Sequence, residues 1–361
     1  MNDALSGLAV RRTDGERPVP ADATAHFGTT FSDYMFRMDY DAEGGWHDPR
    51  IEPFGKLGLL PSTAMLHYGQ AVFDGLKGFY GEDGVIRLFR PDAHAKRLTR
   101  SAERLCIPPV PENWVRESFL RLVDIDRRWV PQQRGTAIYI RPTIIASEPA
   151  IGLHPAHSFA YFVILSPVGA YYESEKPVSI IATDEFVRAA PGGLGAAKTP
   201  ANYAASLLAG ERAKEKNFTQ VLWLDAVERR WVEEVGTMNI MARIGEEVVT
   251  PPLGGTILAG VTRDSALALM RSWGLKVAER PIAIDALIGA AKEGSLTEVW
   301  GTGTAAVISP VGEIGWRGER VRVGDGKRGR VTARLYDALT AIQYASAPDP
   351  FGWTVAVPVY N

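Results

Sequence analysis

Two periodicities of apolar residues alternate along this chain, one typical of strands and one typical of helices. Runs rich in β-branched and aromatic residues predict strands at residues 31–41, 85–89, 136–145 and 159–168. A glycine-containing turn at residues 81–84 precedes the second of these runs, which indicates a β-hairpin. Helical spacing predicts helices at residues 91–105 and 112–130, and Pro91 suits the first turn of the former.

The second half of the chain continues this mixture of elements. Strands are predicted at residues 178–183, 221–225 and 276–279, and helices at residues 201–216, 263–273, 285–292 and 331–345. The most linker-like stretch is the charged segment at residues 171–177. We therefore predict an N-terminal arm at residues 1–30, a smaller N-terminal α/β domain at residues 31–170, that linker, and a larger C-terminal domain at residues 178–361, with both domains of the α/β or α+β class.

The charge balance and hydropathy exclude some classes of partner. Forty basic residues against 42 acidic residues give a formal net charge of -2, so the overall balance provides no electrostatic footprint for nucleic acid. The longest apolar stretch, around residues 159–165, is far shorter than the roughly 20 residues that a membrane-spanning helix needs. We therefore expect small molecules or another protein chain as partners, with no nucleic acid and no membrane.

The cysteine content bears on the cellular compartment. Cys106 is the single cysteine, which excludes an internal disulfide and fits a reducing environment. It lies at the end of a helical pattern, so we expect it to pack in the core rather than to act as a nucleophile. The first 28 residues contain acidic residues and no apolar core, unlike a secretory signal or a transit peptide. These features predict a cytoplasmic protein with a loosely ordered N-terminal arm.

One lysine stands out as a candidate for chemistry. Lys198 is the only Lys, Arg, Asp or Glu between Ala189 and Gly210, and glycines, alanines and prolines surround it. Desolvation lowers the pKa of an amine, and a neutral amine can attack an aldehyde or accept a proton from a substrate carbon. The glycines would let a cofactor approach the backbone closely. This stretch by itself fits an exposed loop lysine better than a catalytic one.

The residues around this lysine extend the argument to a family. Residues 192–203, Gly-Gly-Leu-Gly-Ala-Ala-Lys-Thr-Pro-Ala-Asn-Tyr, resemble the lysine segment of branched-chain amino acid aminotransferases, which belong to fold type IV of the pyridoxal-phosphate enzymes. The resemblance extends from about residue 31 to the C-terminus, and further segments match in the family's order. It implies a two-domain enzyme that uses pyridoxal 5′-phosphate to exchange amino groups between L-leucine, L-isoleucine or L-valine and 2-oxoglutarate. In the family this lysine forms the Schiff base and then transfers the substrate proton.

Other segments match the parts of the family that hold the cofactor. A buried carboxylate keeps the pyridine nitrogen protonated, and Glu234 in Glu-Glu-Val-Gly-Thr-Met-Asn is its match, while Glu233 would point to the opposite face of a strand. The segment Gly-Val-Thr-Arg at residues 260–263 precedes a helical pattern, and the N-H groups of a helix start suit a phosphate. The cofactor ligands implied by the resemblance are Arg97, Lys198, Tyr203, Glu234, Val261, Thr262 and Thr304.

The substrate residues rest on the resemblance alone. A pocket for both a branched apolar group and a γ-carboxylate needs apolar walls and one cation. Residues 66–77 and 139–142 resemble the family's pocket segments, which implies Arg141 as that cation. The other implied substrate contacts are Phe31, Tyr68, Phe73, Tyr139, Tyr171, Thr237 and Ala305. Part of this wall comes from a partner subunit in the family, so a homodimer is implied. The resemblance implies no metal.

Two alternative functions stay open at this point. D-amino-acid aminotransferases and aminodeoxychorismate lyases share the fold and the lysine, although Glu-Val-Gly-Thr-Met-Asn and Tyr-Ile-Arg-Pro favour the branched-chain enzymes. A non-catalytic protein that binds a phosphate-containing ligand through its glycine loops belongs to a different class. Residues 301–304, Gly-Thr-Gly-Thr, have the spacing of neither the dinucleotide fingerprint nor the P-loop, which counts against that class.

Overall fold

A computed structural model describes residues 5, 7–13, 15, 17–169 and 176–360 of the chain. The strands in chain order are β1 (Ala9–Val10), β2 (Tyr34–Asp41), β3 (Gly45–Pro53), β4 (Ala71–Phe73), β5 (Leu76–Tyr80), β6 (Ile86–Phe89), β7 (Ala137–Ala146), β8 (Phe159–Val168), β9 (Val178–Thr183), β10 (Gln220–Leu224), β11 (Val232–Val235), β12 (Met238–Ile244), β13 (Glu247–Thr250), β14 (Lys276–Glu279), β15 (Leu296–Gly303), β16 (Val307–Trp316), β17 (Glu319–Arg322) and β18 (Thr354–Ala356). The helices are α1 (Ala64–Tyr68), α2 (Pro91–Arg104), α3 (Glu112–Ile125), α4 (Pro200–Ala204), α5 (Leu207–Glu215), α6 (Val261–Ser272), α7 (Ile284–Lys292) and α8 (Arg330–Gln343), with a 3-10 helix at Arg127–Trp129.

The described residues group into two compact units. The first unit takes those within Met1–Gly169, Ala197–Pro200 and Ala341–Asn361, and the second takes those within Ala170–Ala196 and Ala201–Thr340. The predicted domains differ, because they assign residues 197–200 and the C-terminus to the second domain. Pairing of β18 with β6 and a hydrogen bond from Thr199 to Ala71 join these segments to the first unit. Residues 171–175 of the predicted linker lie outside the described residues.

The first unit is built on one sheet with the strand order β1-β3-β2-β8-β7-β5-β6-β18, and β4 pairs with β7. β7 and β8 pair antiparallel along their whole length, and β5 and β6 form the predicted hairpin. Leu98 of α2 and Phe119 of α3 share an apolar core with Ile138 and Ile140 of β7. Since side chains alternate along a strand, the intervening Tyr139 lies on the opposite face of the sheet.

Two described parts of the N-terminal arm contact the first unit. β1 pairs with β3 in parallel, with Ala9 opposite Arg50 and Val10 opposite Ile51. Leu5 is buried and belongs to the same apolar core as the sheet. Backbone pairing of β1 and burial of Leu5 therefore attach this part of the arm to the first unit.

The prediction that Cys106 packs in the core is wrong. Cys106 follows α2 with a φ of 55° and is exposed. Its N-H donates to the C=O of Glu103 at 3.2 Å, and the N-H of Ile107 donates to the C=O of Ala102 at 3.0 Å. This pair of hydrogen bonds is the Schellman helix end, in which the left-handed residue turns outward and the next apolar residue is buried. Ile107 takes the core position accordingly.

The second unit contains a sheet with the order β11-β10-β9-β16-β15-β12-β13-β14, and β17 pairs with β16. An additional pairing of β11 with β12 closes part of this path into a ring of strands. Ile180, Leu222, Ile240, Val299 and Ile314 are buried in one apolar core supplied by that ring. The helix predicted at residues 201–216 is divided into α4 and α5. Within the described part of the chain, no helix combines the length and hydropathy that a membrane span requires.

Two buried carboxylates at the start of β2 differ in their partners. Asp33 accepts hydrogen bonds from Arg17 at 2.8 Å, from the Trp129 indole at 3.1 Å and from Arg128. Burial opposes ionisation of Asp33, but these donors hold its pKa below the usual range. Asp126 accepts the Tyr34 N-H at 3.1 Å, and burial raises its pKa to about 6.

We expect Asp126→Asn to stabilise the protein at neutral pH. A carboxyl with a raised folded-state pKa binds its proton more tightly when folded, so its contribution to stability falls as pH rises from about 4 to about 6. The variant should match the parent near pH 3.5 and exceed its unfolding free energy at pH 7.5 by about 1–3 kcal/mol. Chemical denaturation at both pH values measures this. Asp33→Asn, the control, should be destabilised at pH 7.5; equal effects of the two substitutions would contradict the assignment.

Candidate active site

The segment that carries Lys198 is tied to the first unit by main-chain hydrogen bonds. The Lys198 N-H donates to Ser101 Oγ at 3.0 Å, and its C=O accepts the Phe73 N-H at 3.0 Å. The next residue, Thr199, is fully buried and donates from its hydroxyl to the Ala71 C=O at 2.8 Å. Lys198 itself is half-buried, with Nζ 5.1 Å from the centre of the Phe73 ring. The lysine therefore sits on a fixed segment rather than on an unconstrained exposed loop.

A buried ion cluster lies beside this segment. His94, Arg97 and Ser101 recur at helical spacing on one face of α2. Arg97 donates from Nε and Nη2 to the two carboxylate oxygens of Asp74, each at 2.8 Å. His94 Nδ1 lies 2.7 Å from Asp74 Oδ1. Because Asp74 follows Phe73 directly, the same turn holds both the Lys198 carbonyl and the Arg97 guanidinium.

The protonation states of Asp74 and His94 follow from their burial and from the contacts within this cluster. Burial opposes ionisation of Asp74, yet Arg97 and His94 hold the pKa of its carboxyl far below the usual value. Burial lowers the pKa of His94, Arg97 and Lys198 lower it further, and Asp74 opposes them. His94 is thus neutral near pH 7, and the cluster consists of one carboxylate and one guanidinium. A bidentate pair of this kind fixes the arginine plane.

Aromatic side chains and Arg141 share one face of the sheet in the first unit. Arg141 Nη2 donates to the Tyr139 hydroxyl at 3.2 Å, and its guanidinium lies 4.9 Å from the Phe73 ring centre. Lys77 is opposite Tyr139 in the register of β5 and β7, so it belongs to the same face. Burial lowers the pKa of Lys77 to about 8. Four of the residues implied by the resemblance, Phe73, Tyr139, Arg141 and Lys198, are therefore brought together.

Two further aromatic residues implied by the resemblance, Phe31 and Tyr68, contact other partners. Phe31 stacks on Phe54, with ring centres 5.0 Å apart, whereas Phe27 packs edge-on against Tyr139 at 5.0 Å. The structure thus favours Phe27 for the wall position that the sequence assigned to Phe31. Tyr68 is 45% exposed at the end of α1, and its hydroxyl donates to the Ile151 carbonyl. Tyr171 lies outside the described residues.

A second buried carboxylate, Glu234, is surrounded by donors within the second unit. Its Oε1 accepts from the Asn239 side chain at 3.0 Å and from the Leu258 N-H at 3.1 Å. Its Oε2 lies 2.7 Å from Arg188 Nε. Arg188 is itself held by the carbonyls of Gly195 at 2.9 Å and Thr256 at 2.5 Å. Contacts from Asn239, Leu258 and Arg188 thus fix the position of this carboxylate.

The second unit contains a small cavity beside Glu234. Tyr203, Glu234 and Thr237, all implied by the resemblance, line it together with Arg188. Glu233 is also buried but bonds differently, since its Oε1 accepts the Thr256 hydroxyl at 2.5 Å and burial raises its pKa. The adjacent carboxylates therefore have separate partners, and both are buried.

The start of α6 offers backbone donors. No side chain caps this helix, and the first-turn residues Val261 and Thr262 are buried. A Cβ at the preceding Gly260 would lie 1.9 Å from the Asn239 Oδ1 atom, so only glycine fits there. Because Asn239 also binds Glu234, the helix start and the carboxylate are coupled. Thr304 and Ala305 are half-buried in the turn between β15 and β16, and the buried Thr302 hydroxyl makes no hydrogen bond with the described residues.

Comparison with known proteins gives a consistent result. Residues 71–314 match the family described as amino-transferase class IV. Branched-chain-amino-acid aminotransferase 2 of Bacillus subtilis (strain 168) is 50% identical over 351 residues, which cover 97% of each chain. Branched-chain-amino-acid transaminase 1 of the same organism is 52% identical over 344 residues, which cover 95% of this chain and 96% of the relative.

Solved structures share the fold. The branched-chain amino acid aminotransferase of Escherichia coli superimposes with a TM-score of 0.76 at 26% identity, covering 90% of this chain and 99% of that one. The branched-chain amino acid aminotransferase of T.th., complexed with N-(5′-phosphopyridoxyl)-L-glutamate, gives a TM-score of 0.73 at 25% identity, covering 89% of this chain and 98% of that one. The predicted fold class is confirmed.

The residues present fit pyridoxal phosphate. The group needs an amine, a carboxylate for its pyridine nitrogen, and donors for its phosphate. The chain provides a half-buried lysine, a fixed buried carboxylate, and an uncapped, buried helix start. Sequence reasoning missed Asp74, His94 and Arg188. A buried charge needs a partner, so partners of this kind are expected in general. No local sequence pattern around Asp74, His94 or Arg188 identified these particular residues.

We expect Gly260→Ala to weaken both stability and cofactor retention. The new Cβ displaces the Asn239 side chain, which loosens Glu234 and the start of α6; overpacking of this kind typically costs about 1–3 kcal/mol. Gly254→Ala is the matched control, because a Cβ there meets nothing within 4 Å. Thermal unfolding and equilibrium dialysis of pyridoxal phosphate measure the two effects. Indistinguishable variants would refute this account of Gly260.

Proposed function

The chain belongs to the class IV aminotransferases, and from this premise we propose that it is a branched-chain amino acid transaminase, exchanging amino groups between L-leucine, L-isoleucine or L-valine and 2-oxoglutarate. Near-full-length identity of 50% and 52% to enzymes named for this reaction is the observation that carries the proposal. Arg141 beside Phe73 and Tyr139 supports it, since one face then offers both a cation and apolar walls.

The enzyme uses pyridoxal 5′-phosphate, which withdraws electrons from the substrate Cα when bound. We propose that Lys198 supplies the amine that attaches the cofactor and then moves the Cα proton. Its backbone bonds to Ser101 and Phe73 support this role, because they fix the start of the side chain. Glu234 would hold the proton on the pyridine nitrogen, and two hydrogen-bond donors and the Arg188 ion pair fix the position of its carboxylate.

Other residues are proposed to bind the phosphate group and the phenolic oxygen of the cofactor. We propose that Arg97 and the N-H groups of Val261 and Thr262 bind the phosphate, together with Thr304. The bidentate contact with Asp74 supports Arg97, because it fixes the guanidinium plane without exposing the charge to solvent. Tyr203 would donate to the phenolic oxygen, and Thr237 and Ala305 would contact substrate; Tyr203 and Thr237 line a cavity with Glu234.

Dual substrate use is proposed to depend on Arg141. A γ-carboxylate would pair with its guanidinium, whereas a branched apolar group would contact Phe73, Tyr139 and Phe27. The same-fold alternatives, a D-amino-acid aminotransferase or an aminodeoxychorismate lyase, are disfavoured by the relatives' names.

We also propose that the protein is a cytoplasmic homodimer. Apolar side chains near Tyr68 support a second copy as the partner, since Leu66, Ile151 and Leu153 are 55%, 66% and 84% exposed and Tyr68 binds the same loop. Sedimentation equilibrium at micromolar concentration tests the dimer, and a monomer would refute it. Fractionation of the producing cells tests the compartment.

Reduction with borohydride should fix the cofactor to one peptide, the one that contains Lys198. The purified protein should absorb in the near-visible before reduction, because the bound cofactor is conjugated with the lysine nitrogen. Lys198→Ala should lose the covalent label, whereas Lys56→Ala, which alters an exposed lysine, should retain it. Peptide mass spectrometry measures the label. A labelled peptide without Lys198 would overturn the proposed role.

We expect Arg141→Ala to impair glutamate far more than leucine. Loss of a charge-assisted hydrogen bond to the γ-carboxylate should lower kcat/KM for glutamate by roughly 10- to 100-fold more than that for leucine. Arg134→Ala, which alters an exposed arginine paired with Glu82, is the control and should leave both values near those of the parent. Single-turnover half-reactions provide the measurement. Equal losses would contradict the role of Arg141, and faster conversion by D-alanine than by L-leucine would contradict the substrate class.

A further inference from the structure

The loop that joins β7 to β8 is closed at its base by hydrogen bonds. The Ser147 N-H donates to the Ser158 C=O at 3.0 Å, across the two ends of the loop. Gln70 bridges the same ends, because its C=O accepts the Ala146 N-H at 3.0 Å and its Oε1 accepts the Ala156 N-H at 3.1 Å. The side chains just inside this base therefore start from fixed backbone positions.

Three of these side chains converge on one point. Glu148 Oε1 lies 3.2 Å from His154 Nε2, and Glu148 Oε2 lies 3.4 Å from His157 Nδ1. The two imidazole rings face each other with centres 5.3 Å apart at an interplanar angle of 35°. One ligand atom from each residue can be chosen so that all three lie within 4.8 Å of one another. This is the only such group of three His, Cys, Asp or Glu residues found in the described residues.

The donor set selects a class of metal ion. Two imidazole nitrogens and one carboxylate oxygen suit Zn²⁺ and its first-row neighbours, whereas Mg²⁺ and Ca²⁺ prefer oxygen ligands alone. Ligands about 2.0–2.2 Å from a tetrahedral zinc lie roughly 3.3–3.5 Å from one another, so the spacing here needs only small side-chain movements. We propose that Glu148, His154 and His157 bind one divalent first-row transition metal ion.

The carboxylate is prepared for this role by its own loop. The His157 N-H donates to Glu148 Oε2 at 2.7 Å, and the Glu148 C=O accepts the Ala64 N-H at 2.8 Å. These two contacts hold the carboxylate and the backbone of Glu148 in one orientation, which suits a metal ligand.

A bound metal would fix more than its three ligands. The loop tip between Glu148 and His154 carries Ile151 and Leu153, which are 66% and 84% exposed. The Ile151 carbonyl also accepts the hydroxyl of Tyr68. A metal ion bound near the base of the loop would therefore restrict the movement of the loop tip and of Tyr68.

Titration with Zn²⁺ tests the proposal. The full-length protein is first saturated with pyridoxal phosphate and then dialysed. Isothermal calorimetry at pH 7.5 should show one ion bound per chain. His154→Ala, His157→Ala and Glu148→Gln should each weaken that binding by roughly 10- to 100-fold. His26→Ala, which removes an exposed histidine outside the loop, is the matched control and should bind as the parent does. Circular dichroism confirms that the variants are folded.

Two further measurements distinguish this site from general imidazole binding. Affinity should fall between pH 7.5 and pH 5.5, because protonated histidine does not bind metal. Excess Mg²⁺ should not compete. The proposal is overturned if all three loop variants bind Zn²⁺ like the parent, if no binding is detected, or if His47→Ala, which alters the histidine beside Asp41 and Asp48, abolishes binding instead.

Discussion

A buried carboxylate must be surrounded by donors, and this constraint organises both units of the protein. In the first unit Asp74 is enclosed by Arg97 and His94, and its neighbour Phe73 holds the Lys198 carbonyl. Removal of one partner of such a pair typically costs about 3–5 kcal/mol, because the other charge stays buried. The turn at Phe73 and Asp74 therefore holds both the lysine segment and Arg97.

The second unit satisfies the same constraint with other residues. Glu234 is held by Arg188, Asn239 and the Leu258 amide, and Asn239 occupies the space that a side chain at Gly260 would need. The carboxylate and the start of α6 are thus positioned together. The glycine at Gly195 serves a similar purpose, since a Cβ there would lie 2.2 Å from the Thr256 carbonyl that holds Arg188. Close packing at Gly195 and Gly260 therefore fixes the positions of Arg188 and Asn239, which contact Glu234.

The chemistry of transamination explains why such rigidity is useful. In the proposed reaction, one amine must react with substrates that carry apolar or charged side chains. The groups that perform the chemistry therefore stay fixed, and specificity for the side chain depends on the residues that line the pocket. Arg141 stacks near Phe73 and binds the Tyr139 hydroxyl, which places a cation against an aromatic surface.

The sequence by itself determined the order and type of most long elements, because apolar periodicity is a local property of the chain. It also led to the proposal of Lys198, Glu234 and the start of α6 as cofactor ligands, since these lie within contiguous motifs. Tertiary structure alone decided which side chains meet: Phe27 rather than Phe31 beside Tyr139, Arg188 on Glu234, and Asp74 between His94 and Arg97. It also turned Cys106 outward through one left-handed residue at a helix end. Such contacts depend on strand register, helix termination and residues distant along the chain, which no local pattern encodes.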